Sequence, residues 1–77
     1  MEISLANALI QGVEAHKEGR VRDADKLYSA ILQVQPHHGD ANHNLGVLAV
    51  EMGKVETAVP FFRKAVESKP SIHQYWL

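Results

Sequence analysis

The sequence contains no cysteine among its 77 residues. Because thiolates form disulfides, bind soft metals and act as nucleophiles, this absence excludes a disulfide framework, a thiolate metal site and a cysteine-dependent active site. An excess of charge of one sign is also lacking, since eight lysines and arginines stand against nine acidic residues without any block of like charge. This balance argues against nucleic acid or an anionic membrane surface as the partner. We therefore predict neither of these partners.

Long hydrophobic runs are lacking as well. The most apolar stretch, ISLANALIQGV (3–13), is interrupted by Asn7 and Gln11 and is preceded by Glu2 rather than by basic residues. It is shorter than the roughly 18 apolar residues of a membrane span, and it has no basic region of the kind that begins a signal peptide. We interpret it as one face of an amphipathic helix, and we expect a cytoplasmic location.

What the sequence does contain is an internal repeat. GRVRDADKLYSAILQVQP (19–36) reappears in altered form as GKVETAVPFFRKAVESKP (53–70). A shift of 34 positions superposes Gly12, Val13, Ala15, Gly19, Val21, Ala24 and Pro36 on Gly46, Val47, Ala49, Gly53, Val55, Ala58 and Pro70. Identities in one ungapped register at this period indicate two copies of one structural unit.

Each copy predicts two helices. From Ala24 to Leu32, apolar residues recur at i, i+3, i+4, i+7 and i+8, which is the stripe of an α-helix and fits no strand. Gly19 and Gly53 stand where a helix ends in a turn, and Pro36 and Pro70 end the second helix of each copy. Helices are therefore expected near 4–18, 21–35, 39–52 and 55–69, with a helical start around 71–77 and N-caps at Ser4, Asp40 and Ser71.

These positions resemble a known family. The spacing of small, aromatic and proline residues is similar to that of the tetratricopeptide repeat, as seen at Gly12, Ala24, Tyr28 and Pro36 and again at Leu45, Gly46, Ala58, Phe62 and Pro70. The resemblance implies an all-α fold, a right-handed α-solenoid of antiparallel helix pairs. Its repeats would span about 5–38 and 39–72, and residues 73–77 would be the truncated start of a third, with Trp76 at the family's first-helix tryptophan position.

The small residues of the repeat have a mechanical role in this prediction. Gly12 and Ala24, with their counterparts Gly46 and Ala58, are expected where the two helices of a pair cross, because larger side chains would push the helix axes apart. Tyr28 and Phe62 are expected to fill the space between neighbouring pairs. The sequence departs from the family pattern at Ala8, Gln11 and Asn42, and these departures are expected to weaken the packing.

The resemblance implies a protein-interaction module with a concave groove lined by the first helix of each repeat. A largely apolar groove of this kind suits an amphipathic helix or an extended hydrophobic peptide. A clamp for a peptide's terminal carboxylates is disfavoured, because Asn44 matches that pattern while Leu9, Val13 and Gln74 depart from it. The alternative is that Leu9, Val13, Val47 and Val50 pack against other parts of a longer parent protein. The predicted groove consists of Leu9, Val13, His16, Lys17, Asp40, His43, Asn44, Val47, Val50 and Glu51.

A second surface is predicted at the C-terminal end. A repeat array normally covers its last apolar face with a capping helix, and this chain ends shortly after it presents two aromatic residues. An uncovered apolar face favours association with another copy. We predict a homodimer through Phe61, Phe62, Ala65, Tyr75 and Trp76.

Catalytic and metal-binding patterns give little support to other functions. Asp23 and Asp25 lie two positions apart, so their carboxylates diverge on a helix, and no phosphate-binding glycine loop occurs. We predict a chain that is not an enzyme and binds no cofactor; the alternative is a non-catalytic segment of a larger enzyme whose catalytic domain lies beyond Leu77.

Histidines give the one metal hypothesis in the sequence. His37, His38 and His43, with Asp40 between them, could belong to a metal-binding domain, but two of these histidines lie in a turn without the converging ligands of a zinc site. We interpret them as solvated turn residues and predict no metal. His16, near the end of a helix, is interpreted as a favourable partner of the helix dipole.

Overall fold

The computed structural model describes residues 4–68, which form four α-helices: α1 (Leu5–Lys17), α2 (Val21–Val34), α3 (Gly39–Glu51) and α4 (Val55–Ser68). Helix α1 packs against α2, α3 packs against α4, and α2 joins the two pairs by packing against α3. The predicted all-α fold of helix pairs is confirmed. The predicted helical start at 71–77 and the N-cap at Ser71 lie outside the described residues.

Glycine ends the first helix of each pair, as predicted. Gly19 and Gly53 have φ angles of 81° and 78°, in the left-handed region that residues with a Cβ rarely adopt. The N–H of the next residue then reaches back to the helix, with Arg20 donating to the Ala15 carbonyl and Lys54 to the Ala49 carbonyl, each at 2.8 Å. These bonds satisfy carbonyls that the end of the helix leaves without partners.

The helix N-termini confirm one predicted cap and correct another. The hydroxyl of Ser4 accepts a hydrogen bond from the Asn7 N–H at 3.0 Å, as an N-cap does. The prediction of Asp40 as the N-cap of α3 is wrong, because His38 holds that position and its Nδ1 accepts from the Ala41 N–H at 3.1 Å. Asp40 lies in the first turn of α3 instead, where its negative charge interacts favourably with the positive end of the helix dipole.

His37 and His38 have different environments, which revises their interpretation as solvated turn residues. His37 is exposed, whereas His38 is half-buried and caps α3. The cap gives His38 a structural role in the turn between α2 and α3.

The core lies between the pairs and within each of them. A main cluster consists of Ala15, Ala24, Tyr28, Leu45 and Leu48, and a smaller Ile31 cluster consists of Ala8, Ile31 and Ala41. Because helices α1, α2 and α3 all contribute to both clusters, the first pair is stabilised by the helix that follows it. Burial of Ala24 and Ala58 agrees with the predicted need for small residues, since both have almost no exposed surface.

The aromatic residue of each pair lies at the helix crossing itself. A Cβ placed on Gly12 would come within 2.6 Å of the Tyr28 ring, and one placed on Gly46 would come within 2.6 Å of the Phe62 ring. Tyr28 therefore fills the crossing of its own pair as well as contacting the neighbouring pair, where sequence reasoning had placed only the second contact. The absence of a Cβ at the two glycines is what lets each ring lie close to the opposite helix.

Helix α4 continues through Pro60, which lies in its second turn. In the described part of the chain, no helix combines the length and apolarity that crossing a bilayer requires.

Candidate peptide-binding groove

The first helices of the two pairs, α1 and α3, border a cleft of about 330 Å³, and Tyr28 of α2 also lines it. Five of the ten predicted groove residues line this cleft, and Tyr28 joins them. Polar and charged side chains make up most of the lining, so the cleft is more polar than the sequence pattern indicated. The lining residues are Val13, His16, Lys17, Tyr28, Asn44 and Glu51.

An imidazole connects the two pairs across this cleft. The Nε2 atom of His16 lies 2.7 Å from Oε1 of Glu51, and the Tyr28 hydroxyl lies 3.5 Å from His16 Nδ1. With the neutral imidazole proton on Nε2, His16 donates to the Glu51 carboxylate and accepts from the Tyr28 hydroxyl. The His16 side chain is 18% exposed and that of Glu51 is 56% exposed, so the pair lies at the mouth of the cleft. His16 therefore does more than complement the dipole of α1.

The surroundings of Tyr28 shift its pKa. Loss of solvent around the ring raises the pKa of Tyr28, and the negative charge of Glu51 raises it further. The neutral phenol is thus the form that the folded chain favours.

The other five predicted groove residues do not line this cleft. Leu9 packs against both hydrophobic clusters, and Val47 is half-buried. Val50 is exposed, while Asp40 and His43 are half-buried. The His43 ring packs against Phe62, with ring centroids 5.7 Å apart, so His43 supports the second helix pair rather than the cleft.

The histidines and carboxylates of the described residues do not converge. No group of three or more His, Cys, Asp or Glu side chains between residues 4 and 68 has an arrangement that could hold a metal ion.

Comparison with known proteins decides the family. The sequence profile of the tetratricopeptide repeat matches residues 15–76. The chain belongs to the tetratricopeptide repeat family. Human tetratricopeptide repeat protein 7A is 30% identical over 67 residues, which cover 87% of this chain but 8% of that protein. The chain thus spans less than a tenth of the length of this relative, and no solved structure gives a significant match.

The second copy of the tetratricopeptide repeat has a more exposed outer helix than the first. On α4, Val55, Val59 and Val66 are 58%, 46% and 65% exposed. An open hollow of about 460 Å³ lies beside these valines. It is bordered by Val59, Phe62, Arg63, Val66 and Glu67. We call Val55, Val59, Phe62 and Val66 the α4 stripe.

The residues predicted for self-association have different positions in this tetratricopeptide repeat domain. Phe62 borders the hollow, Ala65 is almost fully buried, and Phe61 packs against the main cluster on the other side of α4. Tyr75 and Trp76 lie outside the described residues.

Sequence reasoning missed the exposed valines of the α4 stripe, although the stripe's spacing of four, three and four residues marks one face of a helix. It also missed Tyr28 as a groove residue, because the ring was assigned to the core alone. The signal was the hydroxyl group, which Phe62 lacks at the equivalent position of the second repeat.

Proposed function

We propose that the chain is a protein-binding module that holds a peptide or an amphipathic helix of a partner in the cleft between α1 and α3. Tetratricopeptide repeats generally mediate protein interactions. The observation that carries the proposal is the cleft itself, which has an apolar wall at Val13 and hydrogen-bonding groups at Asn44 and Glu51. Such a mixture suits a ligand with one apolar side chain to insert and polar backbone groups to pair.

Two features of the ligand follow from the lining. The carboxylate of Glu51 is exposed at the rim and is held by one imidazole, so it can accept a further hydrogen bond from a basic or amide group. Lys17 is exposed on the same rim and offers the opposite charge. A ligand segment with a short apolar side chain flanked by both a donor and an acceptor therefore fits the cleft.

The test is a binding titration with fluorescently labelled peptides, using one amphipathic helical set and one extended apolar set. Val13→Asp places a charge in the wall and should weaken binding at least about tenfold, since loss of a central contact commonly costs more than 1.4 kcal/mol. Val34→Asp is the matched control, because Val34 is an exposed valine on α2 that does not line the cleft. Equal affinities for the two variants would refute this location of the binding site.

We also propose that the chain forms a homodimer through its C-terminal end, with Phe61, Phe62, Ala65, Tyr75 and Trp76 as the predicted residues. The exposed α4 stripe supports this, because contiguous apolar surface on a small domain favours association. Sedimentation across a concentration series should show association that Val59→Asp and Trp76→Ser both weaken and Val34→Asp leaves unchanged. A chain that stays monomeric at every concentration would disprove the dimer.

We also propose that the chain catalyses no reaction itself and has a cytoplasmic location. Tetratricopeptide repeat domains are typically non-catalytic, which supports a chain that catalyses no reaction itself. The alternative, a non-catalytic segment of a larger enzyme, is tested by the length of the parent open reading frame. The proposed cytoplasmic location is tested by cell fractionation.

A further inference from the structure

A buried polar atom of α3 lacks a partner in the described part of the chain. Asn42 has no exposed surface, and its Nδ2 donates to the carbonyls of Pro36 and His38 at 3.1 and 2.9 Å. These two bonds fix the orientation of the amide, so that Oδ1 faces the other way. Between residues 4 and 68 no group donates a hydrogen bond to Oδ1. Because an unpaired buried carbonyl costs about 1–3 kcal/mol, buried polar atoms nearly always have a partner.

The internal repeat indicates which residue lies next to this atom. In the first repeat Ala8, Ile31 and Ala41 pack together as the Ile31 cluster. A shift of 34 positions converts this trio into Asn42, Ala65 and Tyr75. Tyr75 therefore has the register position that Ala41 holds in the Ile31 cluster. The equivalent contact in the second repeat would bring Tyr75 to Asn42.

Side-chain size supports this equivalence. The large Ile31 of the first repeat becomes the small Ala65, and the small Ala41 becomes the large Tyr75. An exchange of this kind keeps a contact filled, whereas either change alone would leave a cavity or a clash. The exposure of the neighbouring Val66 also indicates that this end of α4 can accept a packing partner. Val66 is 65% exposed, whereas its counterpart Leu32 packs against both clusters.

We propose that Tyr75 docks beside Ala65 on α4 of its own chain and that its hydroxyl donates a hydrogen bond to Asn42 Oδ1. The occupant of this end of the α4 stripe is thus the segment 71–77. Connection length favours the same chain over a second copy, because Tyr75 lies seven positions after Ser68, the last residue of α4, just as Ala41 lies seven positions after Val34, the last residue of α2. The proposal does not involve the cleft. It is an alternative to the part of the proposed dimer that uses Ala65, Tyr75 and Trp76, whereas Val55 and Val59 lie nearer the other end of α4.

A double-mutant cycle on the full chain tests the hydrogen bond. Tyr75→Phe removes the hydroxyl and keeps the ring, so it should lower the folding equilibrium constant about 2- to 10-fold, as expected for one neutral hydrogen bond. In an Asn42→Leu background the same change should have almost no effect. Gln74→Ala is the control within the segment, because its counterpart Asp40 belongs to neither cluster. Equal effects of Tyr75→Phe in the two backgrounds would overturn the proposal. They would mean that another donor, such as a buried water, pairs with Asn42 Oδ1.

A second measurement decides the proposal even if Asn42→Leu fails to fold. Trp76 is the sole tryptophan of the chain, so its emission reports on the segment that holds Tyr75. We expect emission at shorter wavelength than in free tryptophan, a shift to longer wavelength in Tyr75→Ala, and no change on dilution. Emission unaffected by Tyr75→Ala would rule out the docking. Emission that shifts on dilution would show that a second copy supplies Tyr75, which also overturns the proposal.

Discussion

Two glycines set the distance between the helices of each pair. The rings of Tyr28 and Phe62 lie where the Cβ of any other residue at Gly12 and Gly46 would be, at 2.6 Å in both cases. The two sites differ in what lies behind the ring. Tyr28 is fully buried beneath α3, whereas Phe62 borders an open hollow. A clash at the first site must therefore move the core, while the second ring has room to shift.

We predict that Gly12→Ala destabilises the chain more than Gly46→Ala does. Overpacking costs about 1–3 kcal/mol where neighbours cannot move, which offsets the better helix propensity of alanine at Gly12. The cost at Gly46 should be smaller because Phe62 can rotate toward the hollow. Thermal and urea unfolding of both variants provide the measurement, with Gln11→Ala as an exposed control on the same helix. Equal losses at the two glycines would contradict this account.

Tyr28 also makes stability depend on pH in the alkaline range. Its pKa is raised in the folded chain by burial and then by Glu51, from an unfolded value near 10. The folded chain holds the proton more tightly, so this contribution to the free energy of unfolding is full below pH 10 and declines as the pH rises through the folded pKa. Urea unfolding of wild type and Tyr28→Phe measures the slope. We expect the Phe variant to lose part of the alkaline decline, and parallel slopes would disprove the assignment.

At the scale of elements, the helices and turns were predictable because their signals are local. The glycine and proline positions and the apolar stripes act within a few residues, and the observed helix ends lie within one or two residues of the expected ones. The cap of α3 was mispredicted because Asp40, a residue type common at N-caps, lies two positions after the residue that caps the helix. Side-chain preference favours Asp40, but the turn after Pro36 decides which residue precedes the helix.

The cleft shows the opposite case, in which local signals were insufficient. His16 and Glu51 are 35 positions apart, and their contact depends on the distance between α1 and α3. The apolar pattern of either helix does not determine that distance. The family resemblance identified the lining helices, but not which five of the ten residues would meet or that Tyr28 would reach them.

The cap of α3 provides a test at this scale. His38→Ala removes the acceptor of the Ala41 N–H and should cost about 0.5–2 kcal/mol, the usual loss for an N-cap. Asp40→Ala should cost less, because it removes only a favourable charge in the first turn. His37→Ala, at an exposed neighbour, should have little effect. Unfolding free energies in this order support His38 as the cap, and a larger loss for Asp40→Ala would restore the original assignment.

At the scale of the molecule, the two repeats share one core. The main cluster contains residues of both helix pairs. The first pair contributes Ala15, Ala24 and Tyr28, and the second contributes Leu45 and Leu48. Phe61 of α4 packs against the same cluster. Because every helix contributes to or contacts this cluster, neither pair can lose its packing without exposing apolar surface of the other. The described helices should therefore unfold together.

Leu48→Ala tests this cooperativity, since Leu48 is 3% exposed and touches the boundary between the pairs. Removal of a buried leucine side chain costs about 2–5 kcal/mol, which is a large share of the roughly 4–12 kcal/mol available to a chain of this size. We expect one transition at a lower midpoint, with hydrogen exchange accelerated as much in α1 as in α4. Val34→Ala, at an exposed site, should leave both measurements unchanged. Faster exchange confined to α3 and α4 would instead mean that the first pair is stable alone, because the main cluster would then be separable into two halves.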